Sequence, residues 1–478
     1  MRRLARRWSG GGFGASVAVL VSGSAVGQVL TLAVAPVLTR LYDPEELGVL
    51  AVFASILAIG TVAICLRYEV AIPLPDDDST ARDLAWLCLG IATVASAAVG
   101  ATALALAEPL SRIGAVHDAA PLLVLLAPSL FGIGVIQVLT YWSLRRQRFP
   151  LIGAANATQA GAQAGAQVGM GAAHLGAAGL LVGHAIGRLA GAAVLAARLW
   201  RDANLIRRPT FRALRSVGRA YRQFPSLALW SSLINSASAE LPVLMVALLF
   251  GSEVVCFFGY TVRVLQTPMA LVGIAVGQVY YANVAGMREG PELRETTLGV
   301  FRRLVALATG PLLLVLIAGP ALFALVFGEE WRQAGSYAQW LAPWLFVVFI
   351  ASPLSSLVFV LNRQRQELVF QSTLIAGRLA ALFVGAALGT ADLAIHMLGV
   401  VSACLWAVYL VWLMRVVGAP LRLPAVIVGL RLGRATVISL PVLLAVAVGL
   451  DDLPLLLVLA ATAIALGLDA VSGVRRVA

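Results

Sequence analysis

Four charged residues, Arg188, Glu240, Arg263 and Arg378, lie inside apolar stretches long enough to cross a membrane. At about 1.5 Å rise per residue, and with helix direction alternating, all four are expected in one layer near the bilayer midplane. Each buried Arg costs about 2.5 to 3.5 kcal/mol on insertion scales, so three cost roughly 8 to 10 unless paired or hydrated. Such groups are expected to face an interior cavity. Three positive charges against one negative leave an excess suited to an anionic ligand, with Glu240 tuning or coupling its binding. The competing reading is an ion pair between Arg263 and Glu240 on adjacent helices, with Arg188 or Arg378 snorkelling to the interface.

A second set is uncharged. In residues 151–172, LIGAANATQAGAQAGAQVGMGA, the amides Gln159, Gln163 and Gln167 recur every four residues, Asn156 lies nearly on the same stripe, and Gly161, Gly165 and Gly169 run beside them. The i, i+4 spacing gathers the amides on one slowly rotating helix face, too polar for lipid. Two roles fit. The amides could bind sugar hydroxyls along a path, or the glycines could permit close packing while the glutamines bond to neighbouring helices. Gln28, Gln137, Asn235, Gln266, Gln278 and Asn283 add polarity to other stretches and are expected to line the same cavity.

Covalent chemistry has no foothold in the sequence. There is no Gly-rich phosphate loop with a Lys, indeed no lysine at all, and no nucleophile elbow. His117, His174, His184 and His396 are scattered, and Cys65, Cys88, Cys256 and Cys404 stand alone, so neither a metal site nor a disulfide framework follows. The expectation is a protein with no catalytic residues, no metal and no cofactor.

The elements that must position the polar residues are transmembrane helices. With 60% hydrophobic and 12% charged residues and a mean hydropathy of +0.91, no water-soluble surface could be built, since soluble domains carry about 25% charge. Windows of about 20 residues predict fourteen spans, the first near 13–38 and the last near 454–471, with the polar fifth, 151–173, the weakest. Residues 200–225, WRDANLIRRPTFRALRSVGRAYRQFP, form the longest interval without a span. They carry Arg201, Arg207, Arg208, Arg212, Arg215, Arg219 and Arg222, which place that loop in the cytoplasm.

With an inner amino terminus, 29 of the 35 arginines fall in inner segments, three in outer loops (Arg40, Arg112, Arg332) and three inside helices, while the acids divide evenly. This is the asymmetry that positive-inside insertion produces, so the net charge of +12 reflects loops and gives no reason to expect a nucleic-acid partner. The basic leader, residues 1–8, is expected to precede an uncleaved first helix.

The predicted fold is therefore an all-α polytopic membrane protein of about 14 transmembrane helices with both termini cytoplasmic. Residues 1–200 are expected to form an N-terminal lobe, 201–225 a basic inter-lobe loop, 226–417 a C-terminal lobe and 418–478 two additional helices. A faint repeat, AVAPVL at 33–38 and AELPVL at 239–244, each followed by an acid, Glu46 or Glu253, fits two pseudo-symmetric six-helix lobes around a shared cavity.

Two stretches carry a resemblance. Residues 39–48, TRLYDPEELG, and 66–75, LRYEVAIPLP, resemble the opening of bacterial polysaccharide-biosynthesis flippases, the O-antigen and exopolysaccharide translocases. That group sits in the larger superfamily of the multidrug and toxin extrusion transporters and the lipid II flippases. The specific matches are Arg40, Pro44, Glu45, Gly48, Arg67, Tyr68, Glu69 and Pro75. The resemblance implies a flippase of the bacterial inner membrane that moves an undecaprenyl-diphosphate-linked oligosaccharide to the outer leaflet by alternating access, for lipopolysaccharide, capsule or exopolysaccharide assembly. A polysaccharide polymerase is then a candidate partner. The diphosphate would suit Arg188, Arg263 and Arg378, and the sugars Asn156, Gln159, Gln163 and Gln167. Arg67 and Glu69, at the inner end of the second span, are candidates for gating, although arginine is expected there from orientation alone.

The alternatives are a cation-coupled multidrug exporter or a lipid II flippase of the same superfamily, and a membrane-embedded glycan polymerase or transferase. A cation-coupled multidrug exporter should hold acids in its lumen, whereas one acid faces three arginines here. A membrane-embedded glycan polymerase or transferase should carry sizeable outer loops, and these are only about 3 to 11 residues long by the same span assignment.

Overall fold

The computed structural model describes residues 13–111, 120–199, 202, 207–284, 287, 290–361, 363–420, 422–448 and 452–475. The leader 1–8, Arg112, His117, Arg201 and the side chain of Gln278 lie outside the described part. Within it, the chain is a succession of helices with no strand. Hydrocarbon offers backbone amides no partners, so each spanning segment must satisfy its own hydrogen bonds.

In chain order the helices are α1 (Phe13–Leu41), α2 (Pro44–Ala63), α3 (Asp78–Ser111), α4 (Leu126–Arg145), α5 (Phe149–Ala172) and α6 (Gly176–Leu199). There follow α7 (Phe211–Ala220), α8 (Leu229–Val284), α9 (Pro291–Phe327), α10 (Arg332–Leu354), α11 (Gln364–Ala387), α12 (Ala391–Val416), α13 (Arg422–Val448) and α14 (Asp452–Arg475). Among the described residues, ten helices are long and apolar enough to cross a membrane, and α8 is one of these. Its 56 residues are broken at Gly251 (φ 89°, ψ −176°), a conformation that excludes side chains, so α8 makes two spans. With α1, α5 and α14 this gives the fourteen expected. α5 falls below the apolar threshold because of its amides, yet it forms a full 24-residue helix.

α7 departs from the expected loop. Thr210 caps its start, accepting the Ala213 N–H at 3.4 Å. Val217 is buried against the protein while Arg212, Arg215 and Arg219 are exposed on the other face, which makes the arginine-rich segment a short amphipathic helix.

The chain forms two compact units, Met1–Cys256 and Phe257–Ala478. In the first, α5 and α6 pair as a hairpin, with α1 on α5, α4 and α2 on α6, α3 on α4 and α7 on α3. In the second, α9 pairs with α10, α10 and α11 with α12, and the last two helices lie on α9. Ala318 of α9 packs with Val442, Ala445 and Leu459, and Leu313 of α9 packs with Ala435 and Leu466. That seam joins α13 and α14 to the rest of their unit.

The motif at 39–48 has a mechanical explanation in the first unit. The Tyr42 hydroxyl donates to the Gln167 carbonyl at 2.6 Å, tying the end of α1 to α5. Pro44 occupies the first turn of α2, where no amide partner is lost. The Asp43 N–H donates to the Glu46 carboxylate at 3.1 Å, one half of a capping box. Gly48 then lets the break in α8 lean on α2: a Cβ there would lie 2.0 Å from the Ser252 carbonyl oxygen.

Candidate functional site

In the first unit the polar residues lie along a chain of pairwise helix contacts. Gly27 of α1 lies against Asn156 and Ala160 of α5. One turn further along α5, Gln159 and Gln163 pack on α6, where a Cβ on Gly187 would stand 2.6 Å from the Gln163 Cβ and one on Gly191 would stand 3.0 Å from the Gln159 Cβ. Arg188 follows, half-buried, its backbone pressed against Gly132 of α4. Gln137, also on α4, donates to the Thr61 carbonyl of α2 at 3.1 Å. Gln159 and Gln163 thus lie on the α6 stretch that carries Arg188, while Asn156 lies against α1 and Gln137 against α2.

The close-packing role, however, falls to different glycines than expected. Among Gly161, Gly165 and Gly169, a Cβ would meet at most Leu30 at 4.0 Å. The small track that α5 packs on is Gly183, Gly187 and Gly191 of α6, at the same four-residue spacing as the glutamines. Glutamine stripe on glycine stripe brings the helix backbones close enough for the amides to reach main-chain groups.

Gln167 is the sealed end of this seam. It is 3% exposed, its side chain donates to the Leu180 carbonyl at 3.0 Å, and its own carbonyl takes the Tyr42 hydroxyl. Gln167 therefore ties α5 to α6 and to the end of α1. Gln167→Leu is expected to lower stability by about 0.5 to 1.5 kcal/mol, the usual net contribution of one hydrogen bond, measurable as a drop in Tm in detergent.

Glu240 is half-buried in the first half of α8, and Asn235 is exposed one turn before it. Arg188 and Glu240 each engage polar or charged partners.

In the second unit the two predicted arginines occupy opposite environments. Arg378 of α11 is 5% exposed. Its guanidinium lies over the Trp344 ring of α10, 4.7 Å from the centroid, and its Nε donates to the Ser402 hydroxyl of α12 at 3.1 Å. The ring and the hydroxyl are both uncharged, and a cation–π contact and a hydrogen bond help to hold this charge in place. Arg263, on the second half of α8, is exposed, as is Gln266. That half of α8 is anchored on both sides: Thr261 donates to the Ala334 carbonyl of α10 at 2.8 Å, and the Tyr280 and Thr297 hydroxyls are 2.7 Å apart.

One ionic cluster, counted among the inner charges, forms within helices. Asp469 of α14 pairs with Arg434 at 2.8 Å and Arg431 at 3.3 Å, both on α13. The signal lay in the sequence as an arginine pair one turn apart, facing a single acid in the next helix. Its acid is already matched by two guanidinium groups. Among the described residues no group of His, Cys, Asp and Glu could hold a metal ion.

Arg67 and Glu69 come together as an ion pair at 3.4 Å. They sit in the turn between α2 and α3, where Leu66 and Arg67 both adopt left-handed conformations (φ 51° and 64°).

Comparison with known proteins adds the family. Residues 37–336 match the model of a family described as "Polysaccharide biosynthesis protein". Among solved structures, one titled "Lipid II flippase MurJ, inward closed conformation" superposes with a TM-score of 0.70 at 10% identity, covering 94% of this chain and 97% of that one. An inward-facing multidrug resistance MATE family transporter gives 0.53 at 15% identity over 83% and 94%. A MOP superfamily transporter from Pyrococcus furiosus gives 0.53 at 14% over 84% and 95%. No curated protein matches the chain. At these identities the structural likeness establishes the fold.

Proposed function

Because the chain belongs to the family of polysaccharide biosynthesis proteins, we propose that it is a flippase for an undecaprenyl-diphosphate-linked oligosaccharide. It carries this lipid from the cytoplasmic to the outer leaflet of a bacterial inner membrane by alternating access, and so supplies O-antigen, capsule or exopolysaccharide assembly.

The observation that supports this reading best is the chemistry of the charged and amide residues within spanning helices. Arg263 is exposed although it belongs to a membrane-spanning stretch, and a guanidinium does not face acyl chains when an aqueous path is open to it. Arg188 follows Gly187, on which Gln163 packs, in the first unit. Cations on helices next to amide-rich surface suit a ligand that joins an anionic diphosphate to sugar hydroxyls. In this account Arg188 and Arg263 contact the diphosphate or acidic sugars, Glu240 tunes that contact, and Asn156, Gln159 and Gln163 line the path of the glycan. Arg378 and Gln167 hold helices together. An exporter of cationic drugs is disfavoured, since Asp469 is neutralised by its two arginines and Glu240 is left as the acid among the site residues.

Proteoliposomes test the proposal. With lipid-linked oligosaccharide in both leaflets, a membrane-impermeant glycosidase should cleave about half of it without the protein and nearly all of it with the protein present. A cleaved fraction unchanged by the protein would refute it.

A further inference from the structure

The turn between α2 and α3 contains a carboxylate in an unfavourable place. Glu69 is 1% exposed. One carboxylate oxygen meets Arg67 only at the long distance of 3.4 Å, the other is buried without a hydrogen-bond partner, and so is the Arg67 Nε. The ionisable groups facing Glu69 from the packed elements are Tyr141 of α4 and Cys88 of α3, with Arg67 on its own segment. None but Arg67 is cationic. Burial accordingly pushes the Glu69 carboxyl up from its ordinary range, and its backbone hydrogen bond and Arg67 only partly oppose this.

The turn is also anchored on both sides of Glu69. Behind it, Leu66 and Arg67 are held in left-handed conformations that side chains disfavour. Ahead of it, Arg145 donates to the Pro75 and Asp76 carbonyls and pairs with Asp78 at 2.9 Å. Between the anchors, Tyr68 donates its hydroxyl to the Gly218 carbonyl of α7 at 2.9 Å. A change at residue 67 or 69 therefore bears on the bond from Tyr68, the residue between them, to α7.

We propose that Glu69 is a proton-binding site whose occupancy controls how firmly Tyr68 holds the amphipathic helix α7. With the proton on Glu69, the buried acid is neutral and the stretched contact with Arg67 is tolerated. Loss of the proton to water leaves a buried anion, which draws the Arg67 guanidinium inward, rotates the left-handed turn and loosens the Tyr68 bond to Gly218. No cargo chemistry enters this inference, so it stands or falls separately from the transport proposal.

The sign of the stability effect follows. A carboxyl whose pKa is raised in the folded state adds stability in full below its unfolded pKa, and that stability is lost as pH rises through the folded value. Glu69→Gln should therefore melt above the wild type at about pH 8, with the difference vanishing toward about pH 4, the unperturbed range of glutamate.

The decisive experiment is hydrogen exchange of α7 amides in the purified full-length protein, corrected for intrinsic rates, across that pH range. The wild type should exchange several-fold faster at the alkaline end, with a protonated-carboxyl infrared band disappearing over the same interval. Glu69→Gln should lack that band and keep α7 slow at every pH. Tyr68→Phe should retain the band and exchange fast throughout. An α7 response that persists in Glu69→Gln, or a carboxyl band identical in wild type and Glu69→Gln, would overturn the assignment.

Discussion

Arg263→Ala is expected to lower flipping by roughly 10- to 100-fold, the loss of about 1.5 to 3 kcal/mol of charge-assisted bonding to an anionic ligand, while the protein inserts and melts as the wild type does. The expectation rests on exposure. Arg263 lies in a spanning stretch but is exposed rather than sealed in the core. Arg378→Ala should behave differently. It opens a hole beneath Trp344 and strands the Ser402 hydroxyl, so its loss of activity should track a loss of folded protein. Tm and transport measured together on both variants separate the roles. Unimpaired transport by Arg263→Ala would remove the residue from the site.

Gly48→Ala should have the largest effect on folding. The added Cβ would stand 2.0 Å from the Ser252 oxygen and 3.2 Å from its Cα. These are backbone atoms beside the left-handed Gly251, so no side chain can swing aside. Overpacking commonly costs about 1 to 3 kcal/mol, and a backbone clash of this depth should exceed that. The expected result is a protein recovered largely as aggregate from detergent, whereas Glu45→Ala, on the same helix turn, should be recovered normally. A monodisperse Gly48→Ala with wild-type Tm would show that α2 and the break in α8 do not meet as described.

Helix number was legible because hydrocarbon thickness imposes a length and an apolar composition that a window can find. What distances in three dimensions decide was not. The stripe Gln159, Gln163, Gln167 announced itself by its spacing, yet Gly183, Gly187 and Gly191 carry the same spacing, and only the packed hairpin shows that the two stripes are partners. Arg378 looked like Arg263 in the sequence. Trp344 and Ser402, on two other helices, make it a sealed structural cation. Residues 211–220 read as loop because charge dominates them, while Thr210 and Val217 supply the cap and the apolar contact that make a helix. Arg431 and Arg434 counted as inner charges because they stand at the edge of a span, and Asp469 on the next helix allows them to lie within helices.

The central claim, translocation of a lipid-linked oligosaccharide, is tested most directly in the host by depleting the protein and locating that intermediate. The account predicts loss of the surface polysaccharide with the lipid-linked oligosaccharide accumulating on the inner leaflet, closed to impermeant glycosidase in intact spheroplasts. Normal surface polysaccharide, or an intermediate that still reaches the outer leaflet, would contradict it.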